Sequence, residues 1–527
     1  MHRRDFMGAG LASLLSAGAS GPAFATAGTP LRRVVASEVT SLDPQRPTGS
    51  LTTEMAAELF TGLTTYDAVG RLGPGCAESW SSSPDGLTWT FRLRPKLAWS
   101  DGTALGSRDF VFALQRYLAP ETGAAQASRL DAMVGARELR LGRGAPAKLG
   151  VSAPDARTLV IRLERPDVEL PVMLSAAYCV PEHVIRARGR EWAKPGLIVT
   201  NGPYALEAWA AGAKIIKLRR NPRFHDVGAV RLDRVDWLTG YDDATRLRLF
   251  RLGEVDIASI EDSGNLALAR RDLGGALRSS PECAVGWIGL NLARKPLADP
   301  RVRRALSLAI DRVILTQKVR MLAEQPTDSI LPPGIPEYPA PARADYADWP
   351  MPRRLAAARE LMAAAGHGPG ARLRLGIGFP ASPTGRKVYL AVSAMWKAIG
   401  VDVELQPLEG RAYNAALQKG QFDVFSYNSF AAVPAASIFL DRFLSSSTIN
   451  FCSYRSAAFD RAFEAAERQL SIEARAGFYA EADRIVLRDL PVIPLYNGVS
   501  HRLLGPRVRG WVDHPGHAHP SRFLSLA

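Results

Sequence analysis

Apolar and polar residues alternate with period two over 87–94 (LTWTFRLR) and 158–163 (TLVIRL), which predicts half-buried strands. The second is entered through the turn-forming pair Pro154-Asp155. Helical spacing predicts helices over 353–365, stopped by Gly366, and over 387–399, closed by Gly400. Between and after them, 372–379 (RLRLGIGF) and 401–405 (VDVEL) read as strands. Strand, helix and strand in this order predict a right-handed crossover in a parallel sheet. Two more amphipathic helices are expected over 459–470 and 474–487. Asp299 before Pro300 is a helix start, because Asp caps orphan amides and Pro suits the first helical position. Ala305, Leu306, Ala309, Ile310 and Val313 then share one apolar face. The Pro-rich stretch 331–352 is expected to be a surface loop.

The pattern is mixed α/β throughout, and 527 residues exceed one small core, so two or three lobes are expected. Gly 45 and Pro 37 argue against a helical bundle. The net charge of +14 raises nucleic acid as a partner. However, the basic residues are dispersed and no aromatics interleave with a basic run, so no nucleic-acid partner is expected. Cys76, Cys179, Cys283 and Cys452 contain no Cys-x-x-Cys, which removes a zinc ribbon or thioredoxin site and leaves disulfide pairing open.

The chain begins MHRRDFMGAGLASLLSAGASGPAFA. Arg3 and Arg4, a short apolar stretch and Ala23-Phe24-Ala25 give the layout of a cleaved export signal over 1–25, similar to a twin-arginine signal. After it, no apolar run is long enough to span a bilayer. The mature protein is therefore expected in the periplasm.

No nucleophile elbow, His-Glu-x-x-His, phosphate-cradling loop or dinucleotide fingerprint occurs, so no enzyme and no cofactor is expected. His514, His517 and His519 have spacing that suits a transition metal, but a Pro/Gly-rich tail with idle histidines is the more ordinary reading, and no metal site is assigned.

Ten short motifs in order carry a resemblance over nearly the whole mature chain. They include SEVTSLDP (37–44), ELFTGL (58–63), the block from Ala77 to Arg116, NGPYALEAW (201–209) and RRNPRFHD (219–226). NLARKPLADPRVRRALSLAIDR (291–312), GQFDVF (420–425), SAAFDRAF (456–463) and LPVIPLY (490–496) follow. In these the chain resembles extracellular solute-binding protein family 5, the periplasmic oligopeptide-binding proteins of ABC importers. The resemblance implies an α/β clam-shell of the periplasmic-binding-protein kind, with two lobes, crossing segments and an extra inserted domain. Lobe I is expected over 30–72, 200–285 and 490–527, the additional domain over 73–199, and lobe II over 286–489. It also implies a monomer that captures a peptide or other small solute and delivers it to an inner-membrane ABC permease.

In this family an extended peptide pairs with strand-like edges. By position these are Thr48, Gly49 and Ser50, and Tyr427, Asn428, Ser429 and Phe430, with Tyr496 nearby. The charged anchors differ. Ala432 stands where peptide binders hold the free α-amino group with Asp, and losing a charge-assisted hydrogen bond costs about 1.5–3 kcal/mol. Ser429 matches a Trp, Gly498 a cleft Tyr, and Thr48 an acidic residue, while Leu417 and Gly385 match carboxylate-binding basic residues. A roomier, less polar cleft is therefore expected, one that does not take short free peptides in the usual way. A peptide with a blocked amino terminus fits this pattern. So does a non-peptide solute such as a glycoside, an opine-like conjugate or a metal chelate. The alternative role on the same fold is an exported sensor or chaperone.

Overall fold

The computed structural model describes residues 28–527 except 40, 47–49, 125, 211, 336–337, 339, 432–433 and 517–518. The signal segment 1–25, Thr48, Gly49, Ala432, His517 and the side chain of Ser50 lie outside the described residues.

An eleven-stranded sheet runs through the whole molecule. At one end Val401–Leu408, Leu373–Pro380 and Val424–Phe430 lie side by side. At the other end are Ile257–Ser259, Leu31–Val34, Arg234–Leu238, Ile215–Arg220 and Tyr204–Ala208. Two long antiparallel strands, Leu277–Leu290 and Val492–Leu504, join the ends. The first pairs with Val424–Phe430 through its later half, and the second with Ile257–Ser259 through its last residues. These are the crossing segments of a two-lobed α/β fold.

The predicted strand–helix–strand unit is present. Leu373–Pro380 and Val401–Leu408 are parallel neighbours joined by the helix Pro383–Lys397. Gly366 and Gly400 both take positive φ, +84° and +87°, the left-handed geometry that stops a helix. The strands predicted at 87–94 and 158–163 sit in a separate four-stranded antiparallel sheet, paired as Thr88–Leu93 with Thr158–Arg162.

Two large apolar cores divide the chain. One gathers residues from Cys283 to Tyr496, and the other gathers residues from Leu31 to Ile257 with Leu524. The four-stranded sheet packs into the second core rather than forming one of its own.

Three local expectations are corrected. The helix from Pro300 is capped by Asp299, which accepts from Arg301 N at 2.8 Å, but it ends at Leu308. Asp311 restarts the chain by accepting from Ile314 N at 2.9 Å, and this leaves Val313 exposed rather than on the buried face. The Pro-rich stretch after 331 is anchored in the core. Leu331, Ile335 and Tyr346 are buried, and the Tyr346 hydroxyl meets Ser307 Oγ at 2.5 Å. All four cysteines are buried, and none is joined in a disulfide. No described helix is long and apolar enough to cross a membrane.

Candidate functional site

A cavity of about 380 Å³ lies between the two lobes beside the crossing strands. Its walls come from Arg33–Ser37 of one lobe, Asn428 and Phe430 of the other, and both crossing strands. Pleating decides which residues face it. Along Val424–Phe430, Asn428 and Phe430 are exposed, while Phe425, Tyr427 and Ser429 are buried on the opposite face. Tyr427 packs edge-on against Trp287 with ring centroids 5.6 Å apart and donates to Ile449 O at 3.1 Å. The side chains of Tyr427 and Ser429 therefore belong to packing, and their backbones pair with Trp287 and Val285 of the crossing strand.

The other edge of this strand is open. One side of Val424–Phe430 is fully paired with Ala284–Leu290, but the other side meets Leu373–Pro380 only at Val424 and Phe425. Beyond Phe425 the ladder with Leu373–Pro380 stops among the described residues, and the Tyr413 hydroxyl donates to Ser426 O; a ladder that stops in this way is the arrangement an extended ligand completes.

Tyr496 forms the floor. Gly286 makes room for its ring, since a Cβ there would lie 2.3 Å from it. The Arg320 guanidinium lies over the same ring at 4.0 Å and is held from behind by Glu324 at 2.6 and 2.5 Å. The Tyr496 hydroxyl donates to Asn428 Oδ1 at 3.3 Å, so one chain of contacts runs from Glu324 through Arg320 and Tyr496 to Asn428 along this wall. Gly498 lies against Ala284, whose Cβ would be 2.8 Å from an added one, so no side chain extends into the cavity there. Leu417 is buried, and neither it nor Gly385 lines the cavity.

Sequence reasoning missed much of this wall. Arg33, Arg320 and Arg502 line the cavity together with Glu54, Glu261, Glu282 and Glu324, so the expected loss of polarity does not hold here. The Arg-x-x-x-Glu spacing of 320–324 was the one available signal. His501 is buried and held neutral by desolvation; Nε2 donates to Leu322 O at 2.9 Å and Nδ1 accepts from Ser279 Oγ at 2.8 Å.

Across Phe430 lies a second chamber of about 220 Å³, lined by Phe60, Tyr117, Tyr178, Met173 and Ile438. Fewer charged side chains line it, namely Asp67, Arg129 and Arg522. Beside it, at the mouth between the lobes, polar contacts join the two bodies. Arg475 meets Glu169 at 3.1 Å, Ser437 Oγ donates to Glu169 Oε2 at 2.5 Å, and Arg129 meets Asp441 at 3.2 Å.

Among the described residues no cluster of three metal-ligating side chains occurs. His519 stacks on Trp511 at 4.2 Å, and His514 Nδ1 accepts from Gly516 N at 3.1 Å, so both described tail histidines serve local packing.

Two lobes on crossing strands, closed over a cavity with an open strand edge, define a solute-binding protein of the periplasmic type. The family model "Bacterial extracellular solute-binding proteins, family 5 Middle" matches residues 71–451, and the chain belongs to this family, whose members bind solutes and are not enzymes. It is 30% identical to the periplasmic murein peptide-binding protein MppA of Escherichia coli, covering 94% of this chain and 93% of that one. It is 32% identical to the probable deoxycholate-binding periplasmic protein YgiS of the same organism, covering 96% of each. Haemophilus influenzae OppA in complex with the peptide RPPGFSPFR superposes with a TM-score of 0.86 at 29% identity, covering 95% and 99%. One MppA structure gives 0.87 at 29% identity, covering 94% and 98%, whereas the unliganded open form gives 0.74. The lower score against the open form agrees with lobes in contact here.

Proposed function

We propose that this chain is the periplasmic binding component of a peptide-type ABC importer. It encloses a peptide or peptide-like solute between its lobes and delivers it to an inner-membrane permease. The observation that carries this reading is the open backbone edge beyond Phe425, with Asn428 and Phe430 facing the inter-lobe cavity. A backbone edge recognises any extended chain, and the cavity walls then select side chains. Closure changes the molecule's shape, and a solute drives it only by binding the closed form more tightly. Names of relatives support a peptide, since MppA is a murein peptide-binding protein.

Lobe I over 30–72, 200–285 and 490–527, an additional domain over 73–199 and lobe II over 286–489 follow from the same reading, as do a monomer and cleavage near Ala25. The first edge, Thr48 to Ser50, and Ala432 at the end of the second complete the proposed contact set.

A second reading, an amphipathic non-peptide solute, is favoured by the apolar chamber beyond Phe430 and by the name of YgiS. Native mass spectrometry of protein purified from its own periplasm decides between them. A released peptide or peptide conjugate upholds the first reading, and any other solute replaces it with the second.

A further inference from the structure

The chamber beyond Phe430 differs from the cavity beside the crossing strands in both size and charge. Its walls come from two bodies with separate cores. Phe60, Tyr117, Tyr178 and Met173 belong to one, and Phe430 and Ile438 to the other, so it exists only while the lobes are together. At about 220 Å³ it exceeds the roughly 150 Å³ cavity that admits a benzene ring.

The charges on its wall do not cancel. Arg129 is matched by Asp441 at 3.2 Å. Asp67 is matched by Arg71 at 2.9 Å and also accepts from Val69 N and Arg71 N. Burial keeps His514 neutral by lowering its pKa. Arg522 is left over. It donates to Tyr66 O at 2.9 Å and to Thr65 Oγ1 at 3.3 Å, both uncharged acceptors. Asp226 and Glu58 act on it through space, and among the described residues no carboxylate forms an ion pair with it. Burial lowers its pKa, as expected for a desolvated cation without a contacting counter-ion.

We infer that this chamber is a specificity subsite for an apolar group bearing a carboxylate, placed so that the carboxylate faces Arg522, and that it rejects a free ammonium group. The inference rests on the proposed role as a solute-binding component and names the ligand chemistry for one end of the cleft. Two sources carry this chemistry: the carboxyl-terminal residue of a peptide ending in an aromatic or branched side chain, and a non-peptide apolar acid.

Isothermal titration with matched probes tests it. Ala-Ala-Phe and its carboxamide represent the peptide source, and deoxycholate and its uncharged amide the other. The acid of at least one pair is expected to bind about tenfold or more tightly than its amide, as for loss of a charge-assisted hydrogen bond. Arg522→Gln is expected to abolish that preference. Because Arg522 also holds the Thr65 hydroxyl and the Tyr66 carbonyl, a second variant is needed. Ala176 lines the chamber and is exposed, so Ala176→Trp is expected to fill the chamber and remove binding while the melting temperature stays unchanged. Acid and amide binding alike in both pairs, or no binding of any probe, overturns the inference. The solute released in native mass spectrometry then stands alone as the judgement on the importer role.

Discussion

Arg312 and Arg475 are both buried arginines, exposed by 4% and 1%, yet their partners divide differently. Arg312 donates to Pro494 O at 2.7 Å and Ser307 Oγ at 3.0 Å and pairs with Asp328 at 3.2 Å. Ser307 and Pro494 lie within the stretch that builds the 283–496 core, and so does Asp328, so this group keeps its surroundings when the lobes part. Arg475 lies beside Glu467 and Tyr479 of its own lobe, but its other partner, Glu169, comes from the opposite body and is itself held by Ser437. Opening returns Glu169 and Arg475 to water. The desolvation cost of the first group therefore arises once, on folding, whereas that of the second arises at every closure. A buried ion pair is weak evidence of stability, but removing one partner is costly. At the lobe mouth that cost falls on the open–closed equilibrium.

The largest expected effect comes from removing each arginine. Arg475→Leu leaves Asp167, Glu169 and Glu467 together without their shared guanidinium, at a cost of about 3–5 kcal/mol. Most of this is expected to fall on the closed form, lowering affinity for the natively bound solute by about a hundredfold or more. Arg312→Leu is expected to lower the melting temperature and leave affinity unchanged in the folded protein. Titration calorimetry beside thermal melts separates the two. If Arg475→Leu shifts melting alone, the comparison fails.

Next in size is the response to pH. Burial raises the pKa of both Asp167 and Glu169, and the nearby Glu467 charge adds to the rise. Arg165 and Arg475 oppose it from the two sides, while Asp441 and Tyr479 also face the group. In open protein these carboxylates face water and titrate near their ordinary value of about 4 to 4.5. The closed form thus holds more protons, so closure is favoured at low pH and weakens as pH rises above that range toward the raised values. Affinity is expected to be several-fold greater at about pH 5.5 than at about pH 8. Glu169→Gln is expected to flatten this dependence. A wild-type profile that is already flat, or one sloping the other way, removes the mouth group as its cause.

The fold was legible because periodicity and end signals act locally. The unit from 353 to 405 needed only helical spacing, two glycines at positive φ and two strands. Positional matching put the second edge at Tyr427 to Phe430 and treated Tyr427 and Ser429 as cleft residues, although alternation along VFSYNSF places their side chains opposite Asn428 and Phe430. The walls were less legible. Arg320 meets the ring of Tyr496, and Glu169 meets Arg475, only because the crossing strands and lobe closure bring together positions far apart in the chain. Helix termination at Leu308 was missed because the cap at Asp311 competes with a continuing apolar face. The polarity of the cavity was misjudged for a similar reason. Lost family anchors were visible at single positions, while the charges that line the wall come from six separate stretches.

The smallest expected effect carries the comparison to the surface. Arg165 reaches Glu467 across the lobe mouth at 3.7 Å with 42% of its side chain exposed, while Arg372 grips Asp402 within one lobe at 2.8 and 2.9 Å with 32% exposed. Geometry favours the second pair, and exposed pairs contribute about 1 kcal/mol at most. On stability alone, Arg372→Gln is therefore the more harmful change. Solute affinity is expected to reverse that order. Arg165→Gln changes affinity by about twofold at low salt and less at high salt, where screening within about 8 to 10 Å weakens the wild-type pair as well. Arg372→Gln leaves affinity unchanged at either salt concentration. Equal effects of the two on affinity imply that ion pairs across the mouth do not bias closure, and the role assigned to Glu169 and Arg475 then rests on burial alone.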